Sequence, residues 1–193
     1  MGVNNYLFRL CEKHRDPAPR KRLLIAGYPD MLPDPEKAFG SLGYDHIDVI
    51  DVIKHNGCEI LVDLNYPMAG GPPAIYDLVL DHGTCEHVFN IGQAAITLAS
   101  HVKLGGRIIQ HLPMNMPNHG FYAVYPIWYE ALYSSRNGFE IEHFEGCHNH
   151  GLHPFHLADT GLYSTITDTL CTIVARKVKD IPVTFPQQQI YEL

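Results

Sequence analysis

The sequence predicts one α/β domain, a mostly parallel sheet with helices on both faces. Three observations predict it. The apolar run Tyr76–Asp81 is followed by turn residues, an amphipathic stretch, the Gly105-Gly106 pair and a second apolar run at 107–111, which together read as one strand–helix–strand unit. Short apolar runs recur before it, at 22–27, 47–52 and 59–64, as strands covered on both faces do. The 193 residues, 46% hydrophobic, suffice for one sizeable core but not for two ordinary α/β domains. The expected organisation is an N-terminal helix and linker over 1–20 and a single domain over 21–193.

Each element follows from local pattern. Tyr6, Leu7, Leu10 and Cys11 recur at helical spacing, and Pro17 and Pro19 end that helix. Residues 22–27 form the first strand, stopped by Gly27. Pro29, Pro33 and Pro35 delay the next helix, which can begin only at Pro35 and is therefore short. Strands at 47–52 and 59–64 follow, then the loop around Gly70-Gly71-Pro72-Pro73, and then the strand at Tyr76–Asp81. Val88, Ile91, Ala95, Leu98 and Val102 place one apolar stripe on a helix over 88–102. A strand at 107–111, a helix at 127–133 stopped by Asn137-Gly138, a strand at 139–144 and a β-branched strand at 169–178 complete the pattern, with 187–193 as a loose tail.

Charge and composition exclude several functions. A net charge of −7, with one diluted basic cluster at 15–22, argues against a nucleic-acid footprint. Five widely spaced cysteines without a Cys-x-x-Cys pair suggest neither a disulfide framework nor a zinc ribbon, and a reducing cytoplasm is the expected location. No apolar run reaches the roughly 18 residues of a membrane helix, and the N-terminus lacks the apolar core of a signal peptide.

In a sheet of this kind ligands bind at the carboxyl ends of the strands, so Asp81, His82, Thr84, Glu86 and His87 fall at the expected crevice. The thirteen histidines are spread from His14 to His156 rather than gathered in a tag. Cys147-His-Asn-His-Gly-Leu-His-Pro-Phe-His156 has good metal-ligating side chains, but its spacing matches no standard zinc site. Gly151 and Pro154 make a polar loop facing a substrate the expected reading, with no metal. Cys85 reads as a small semi-buried residue rather than a nucleophile. Tyr122, Tyr125, Trp128 and Tyr129 can line a pocket, although the last three are at packing spacing.

Taken in order, Asp48-Val-Ile-Asp51, Cys58-Glu-Ile-Leu-Val-Asp-Leu-Asn65, Tyr76-Asp-Leu-Val-Leu-Asp81, Glu86-His-Val-Phe89, Leu104-Gly-Gly-Arg107 and Asn118-His-Gly-Phe-Tyr122 resemble successive blocks of the class I S-adenosylmethionine-dependent methyltransferases. The resemblance covers roughly residues 22–177. It implies a Rossmann-like, seven-stranded, mostly parallel sheet with one antiparallel strand near its end, and S-adenosylmethionine as cofactor. Residue by residue it implies that Gly27 and Asp30 approach the cofactor after the first strand, and that Asp51 accepts from the ribose hydroxyls. Asp63 would meet the adenine amine while Leu64 packs on the ring, and Asp81 would face the methionine portion. The chain departs from the family pattern at Ala26-Gly27-Tyr28-Pro29-Asp30, where one glycine stands in place of three, Tyr28 adds bulk and Pro29 removes an N–H donor.

Methyl transfer from a sulfonium is a direct displacement that needs alignment and, for a protonated acceptor, a base. His119 and His82 are the candidate bases, ahead of His87. His111, Tyr122, His148, His150 and His153 are the candidate contacts to a small-molecule acceptor. Two rival readings come from other classes: a catalytically silent member serving as a nucleoside-binding or partner subunit, and a fold redirected to metal-dependent or other chemistry through its histidine-rich half; a homo-oligomer or a partner subunit is the expected assembly.

Overall fold

A computed structural model describes residues 4–17, 21–29, 35–55, 60–71, 73–148, 153–156 and 169–188. In chain order the elements are α1 (Asn5–Lys13), β1 (Lys21–Ala26), α2 (Pro35–Gly40), β2 (Tyr44–Asp51), β3 (Ile60–Leu61), β4 (Tyr76–Asp81), α3 (Ile91–Ser100), β5 (Val102–Asn115), α4 (Pro126–Leu132), β6 (Phe139–His148), β7 (His153–His156) and β8 (Thr169–Lys177). Short 3-10 turns lie at Cys85–His87 and Ser135–Asn137.

The strands form one eight-stranded sheet in the order β3-β2-β1-β4-β5-β8-β6-β7. β1 pairs in parallel with both β2 and β4, and β4 pairs in parallel with β5. β8 lies antiparallel between β5 and β6. Seven of the strands make the expected mostly parallel sheet with its antiparallel strand near one end. The eighth, β7, pairs antiparallel with β6, bringing Cys147 opposite Pro154 and His148 opposite His153. The histidine-rich segment expected as a loop is therefore partly a hairpin at the sheet edge, because β6 continues four residues past Phe144.

Alternation along the strands divides the core between two faces. Leu24, Ala26, Val79, Ile108, Leu112 and Ile173 face α3 and α4, whose Ala94, Ala95, Leu98, Ala99, Tyr129 and Leu132 cover them. Leu23, Ile25, Val49, Leu78, Leu80, Ile109 and Val174 face Leu7, Leu10 and Cys11 of α1 and Phe39 of α2. α1 is capped by the Asn4 side chain, which accepts from the Leu7 amide at 3.0 Å, and its buried Leu10 and Cys11 follow Leu7 by about one helical turn, on the same face.

Several other boundaries also differ from the sequence expectation, among them the start of β2 at Tyr44 rather than 47. β3 shrinks to two residues, and β5 starts at Val102 rather than 107, with an irregular register beside Tyr76. There Gly106 passes so close to β4 that a Cβ would lie 2.8 Å from the Tyr76 carbonyl, so a strand can pass only with glycine. α3 starts at Ile91, later than expected, because Asn90 caps it by accepting from the Gln93 amide at 3.3 Å.

Candidate functional site

The carboxyl ends of β1, β2, β3 and β4 converge on a cleft of about 340 Å³. Gly27, Tyr28, Ile50, Asp51, Val62, Asp63, Leu64, His82, Gly83, Thr84 and His87 are among its lining residues. The parallel register brings them together: Ala26 stands opposite both Ile50 and Asp81, so the loops after three strands leave the sheet at one level.

Asp51 ends β2 with its carboxylate at the cleft. One oxygen accepts from the Tyr28 amide at 2.9 Å and the other from the Ile53 amide at 3.0 Å. His55 Nε2 lies 3.5 Å from the first oxygen, and its ring stacks on Tyr28 at 4.8 Å. Each carboxylate oxygen keeps accepting capacity beyond its backbone bond, so a ribose diol can still be met there. Asp63 holds a tight turn, accepting from the Asn65 amide and side chain at 2.9 Å each. Asn65 in turn receives the Asn90 amide at 2.9 Å, tying the turn after β3 to the start of α3. Leu64 is buried and presents an apolar wall beside Val62 and Ile50.

The loop after β1 is closed against the loop after β4. The Thr84 hydroxyl donates to the Ala26 carbonyl at 2.7 Å, and His82 Nε2 lies 3.3 Å from the Gly27 carbonyl. Gly27 has φ +77°, and a Cβ there would lie 2.4 Å from Thr84 Oγ1. The glycine is thus required by the chain's own threonine. Burial holds the His82 imidazole below its ordinary pKa, hence neutral, and its Nδ1 is buried without a hydrogen-bond partner.

Asp81 does not line the cleft. Its carboxylate is fully buried, accepting from the Thr84 amide at 2.9 Å and from Gln110 Nε2 at 2.9 Å, while Gln110 Oε1 accepts from the Tyr133 hydroxyl at 2.6 Å. The physical reason is register: Asp81 and Gln110 are direct neighbours on the α3 face. The chain Tyr133–Gln110–Asp81 fixes the turn that carries His82 and Glu86. Sequence reasoning missed Gln110 and Tyr133, although a lone glutamine within an apolar strand was the available signal. Cys85 is buried in the same network, and burial pushes its thiol well above the usual range, the nearby Asp81 charge adding to it.

His111 also lies away from the cleft. It is one residue out of phase with Gln110, so it faces α1, with Nδ1 2.6 Å from Thr172 Oγ1 and its ring 5.8 Å from that of Tyr6. His148 sits on β6 with Nδ1 3.0 Å from Thr169 Oγ1, and β5 and β8 separate it from β4. Asp30 and His150 fall outside the described residues, and His153 is described by its backbone pairing alone.

His119 and Tyr122 are not among the residues that line the cleft; they lie behind it, against the turn that carries His87. Residues 116–122 cross over the 3-10 turn Cys85–His87: the Phe121 amide donates to the Glu86 carbonyl at 2.8 Å, and the Tyr122 hydroxyl to the Phe89 carbonyl at 2.6 Å. Gly120, at φ +66°, permits the crossing, since a Cβ would lie 2.9 Å from the Glu86 carbonyl. His119 Nε2 and His87 Nε2 stand 3.5 and 3.7 Å from Glu86 Oε1. Burial pushes the Glu86 carboxyl up to about 8, the Asp81 charge adding to the rise.

No protein-family model matches the chain, and no curated protein matches it in sequence. Solved structures do match in shape. The [4+2]-cyclase SpnF superposes with a TM-score of 0.63 at 15% identity, covering 92% of this chain and 80% of that one. A 1,6-didemethyltoxoflavin-N1-methyltransferase from Burkholderia thailandensis, solved with 1,6-didemethyltoxoflavin and S-adenosylhomocysteine bound, gives 0.57 at 14%, covering 89% and 76%. An S-adenosylmethionine-dependent methyltransferase from Mesorhizobium loti gives 0.52 at 14%, covering 87% and 96%. With its strand order and its cleft at the carboxyl ends of β1 to β4, the chain has the class I S-adenosylmethionine-dependent methyltransferase fold.

Proposed function

We propose that the protein transfers a methyl group from S-adenosylmethionine to a small-molecule acceptor. The observation that carries this reading is the gathering of Asp51, Asp63 and Leu64 around one cleft, two carboxylates and an apolar wall suited to a ribose, an adenine amine and an adenine face. The nucleoside end of the cofactor fits this donor and acceptor set. The bound cofactor supplies an activated methyl group, and the protein's own task is to hold, align and deprotonate the acceptor.

Acceptor activation is assigned to the corner where His82 lines the cleft and His119 stands beside Glu86. Tyr122 and the exposed Phe89 and Phe121 lie next to that corner and supply apolar surface for the acceptor. His111 and His148 take no part in this proposal, being committed to Thr172 and Thr169. Among the described residues no helix is long and apolar enough to cross a membrane, and the acceptor is proposed to be a small soluble molecule met in the cytoplasm.

One observation favours a second reading. The Thr84–Ala26 and His82–Gly27 contacts close the space between the loops after β1 and β4, where the methionine end of the cofactor would approach, and a structure of similar shape is named a [4+2]-cyclase. The fold would then hold a nucleoside-type ligand while performing other chemistry. Equilibrium binding of S-adenosylhomocysteine against adenosine separates the two. Methyl transfer predicts that S-adenosylhomocysteine binds at least about tenfold more tightly, the equivalent of one good hydrogen bond to a charged group. Equal affinity would favour the second reading.

A further inference from the structure

Glu86, His87 and His119 form a cluster that the nucleoside cleft does not explain. Their nearest ligand atoms all lie within 4.8 Å of one another. The Glu86 side chain is completely buried, and neither of its oxygens has a hydrogen-bond partner. A buried carboxyl left without a partner is held in its neutral form, and it becomes a carboxylate when a cation or a strong donor completes it. The two imidazole nitrogens stand 3.5 and 3.7 Å from Oε1, longer than a hydrogen bond.

Those separations suit ligands of a common ion better than partners of each other. Zinc at about 2.1 Å from each ligand in tetrahedral geometry places neighbouring ligand atoms about 3.4 Å apart. Glu86 meets both histidines close to that spacing. The rings of His87 and His119 are T-shaped at 5.0 Å, and a small rotation of the half-exposed His87 closes the set. Two imidazoles and one carboxylate make three protein ligands, and the exposure of His87 and His119 leaves the remaining side open to the cleft that His87 lines. The carboxylate is held rigidly: Gly120 and Phe121 are packed on the Glu86 backbone, and its turn is anchored through Asp81.

We infer that Glu86, His87 and His119 bind one divalent transition-metal ion, of the zinc class, whose open position receives an oxygen of the acceptor. This deepens the assignment of acceptor activation to the same corner and rests on that reading for its role, though not for the binding itself. In the loaded protein His119 is a ligand rather than a free base, and the ion acidifies the acceptor oxygen it holds.

The test is titration of the full-length, tag-free protein with cobalt(II) chloride, followed by visible absorption and by metal analysis after gel filtration. One ion per chain is expected at micromolar concentrations, with loss of about 100-fold or more in affinity for Glu86→Gln and for His119→Ala, each checked as folded by circular dichroism. A variant combining His153→Ala and His156→Ala is expected to bind as the parent does. Failure of cobalt(II) and zinc(II) to bind below about 1 mM would overturn the inference. So would loss of the ion in the His153/His156 variant with Glu86→Gln unaffected. S-adenosylhomocysteine binding by the same samples reports separately on the cofactor reading.

Discussion

At the scale of single residues, Gly27 is a tightly constrained position at the cleft. Two independent terms oppose a side chain there: the left-handed backbone and the 2.4 Å approach of Thr84 Oγ1. Gly27→Ala is expected to cost about 2–4 kcal/mol, of which about 1–2 is backbone strain and the rest overpacking. In a Thr84→Ala background the nearest side-chain oxygen is gone, and the cost should fall to the strain alone. Denaturant unfolding of the four proteins measures this as a coupling of about 1–2 kcal/mol, whereas additive costs would show that the two loops do not touch. Cys85 and Glu86 are adjacent, both buried, and opposite in consequence: the thiol is inert in its network, while the carboxyl has no donor to complete it.

At the scale of elements, the turn after β4 is held from below by a buried polar chain that runs from α4 through β5. Tyr133→Phe removes the donor to Gln110 Oε1 and leaves that oxygen buried. A loss of about 1–3 kcal/mol is expected, read as a lowered urea midpoint with unchanged slope. A midpoint within experimental error of the parent would mean the chain does not bear on stability. The strands were legible because they are continuous apolar runs: β4 agrees with the expected 76–81 at both ends. Less legible were lengths set by pairing. β5 extends to Asn115 because β8 pairs with it from Arg107 to Asn115, and β6 extends to His148 because β7 folds back on it. Period-two alternation assigns His111 and Gln110 to opposite faces, a distinction that proximity to a strand end does not make. The association of His119 with Glu86 depended on a loop crossing, which no local pattern encodes.

At the scale of the whole molecule, several histidines sit where protonation is disfavoured. Burial lowers the pKa of His101, of His14 and of His82 below the ordinary value; His101 is packed edge-on to Tyr76, with Nδ1 3.3 Å from the Pro73 carbonyl. A histidine whose folded pKa lies below its unfolded value of about 6.5 binds more protons when unfolded at acid pH. Its contribution is therefore complete above about pH 6.5 and is lost as the pH falls through that value towards the folded pKa. The buried Glu86 carboxyl, raised to about 8, acts in the opposite sense, so the histidine effect is read as a difference: in urea unfolding at pH 8, 6.5 and 5 the stability of the parent relative to His101→Gln should fall over the acid interval. A difference between the two proteins that is independent of pH over this range, or that rises towards pH 5, would contradict the assignment.

The central claim is that the cleft at the ends of β1 to β4 is a nucleoside-cofactor site with Asp51 as its ribose acceptor. Calorimetric titration of S-adenosylhomocysteine into the parent protein and into Asp51→Asn tests it most directly, since asparagine keeps an acceptor for the Tyr28 amide while removing the charge. One site per chain is expected, with a loss of about 1.5–3 kcal/mol, roughly 10- to 150-fold, in the variant, which also gives up one of the two backbone amide bonds to Asp51 and is therefore checked as folded by circular dichroism. No binding to the parent, or equal affinity in both proteins, would contradict it.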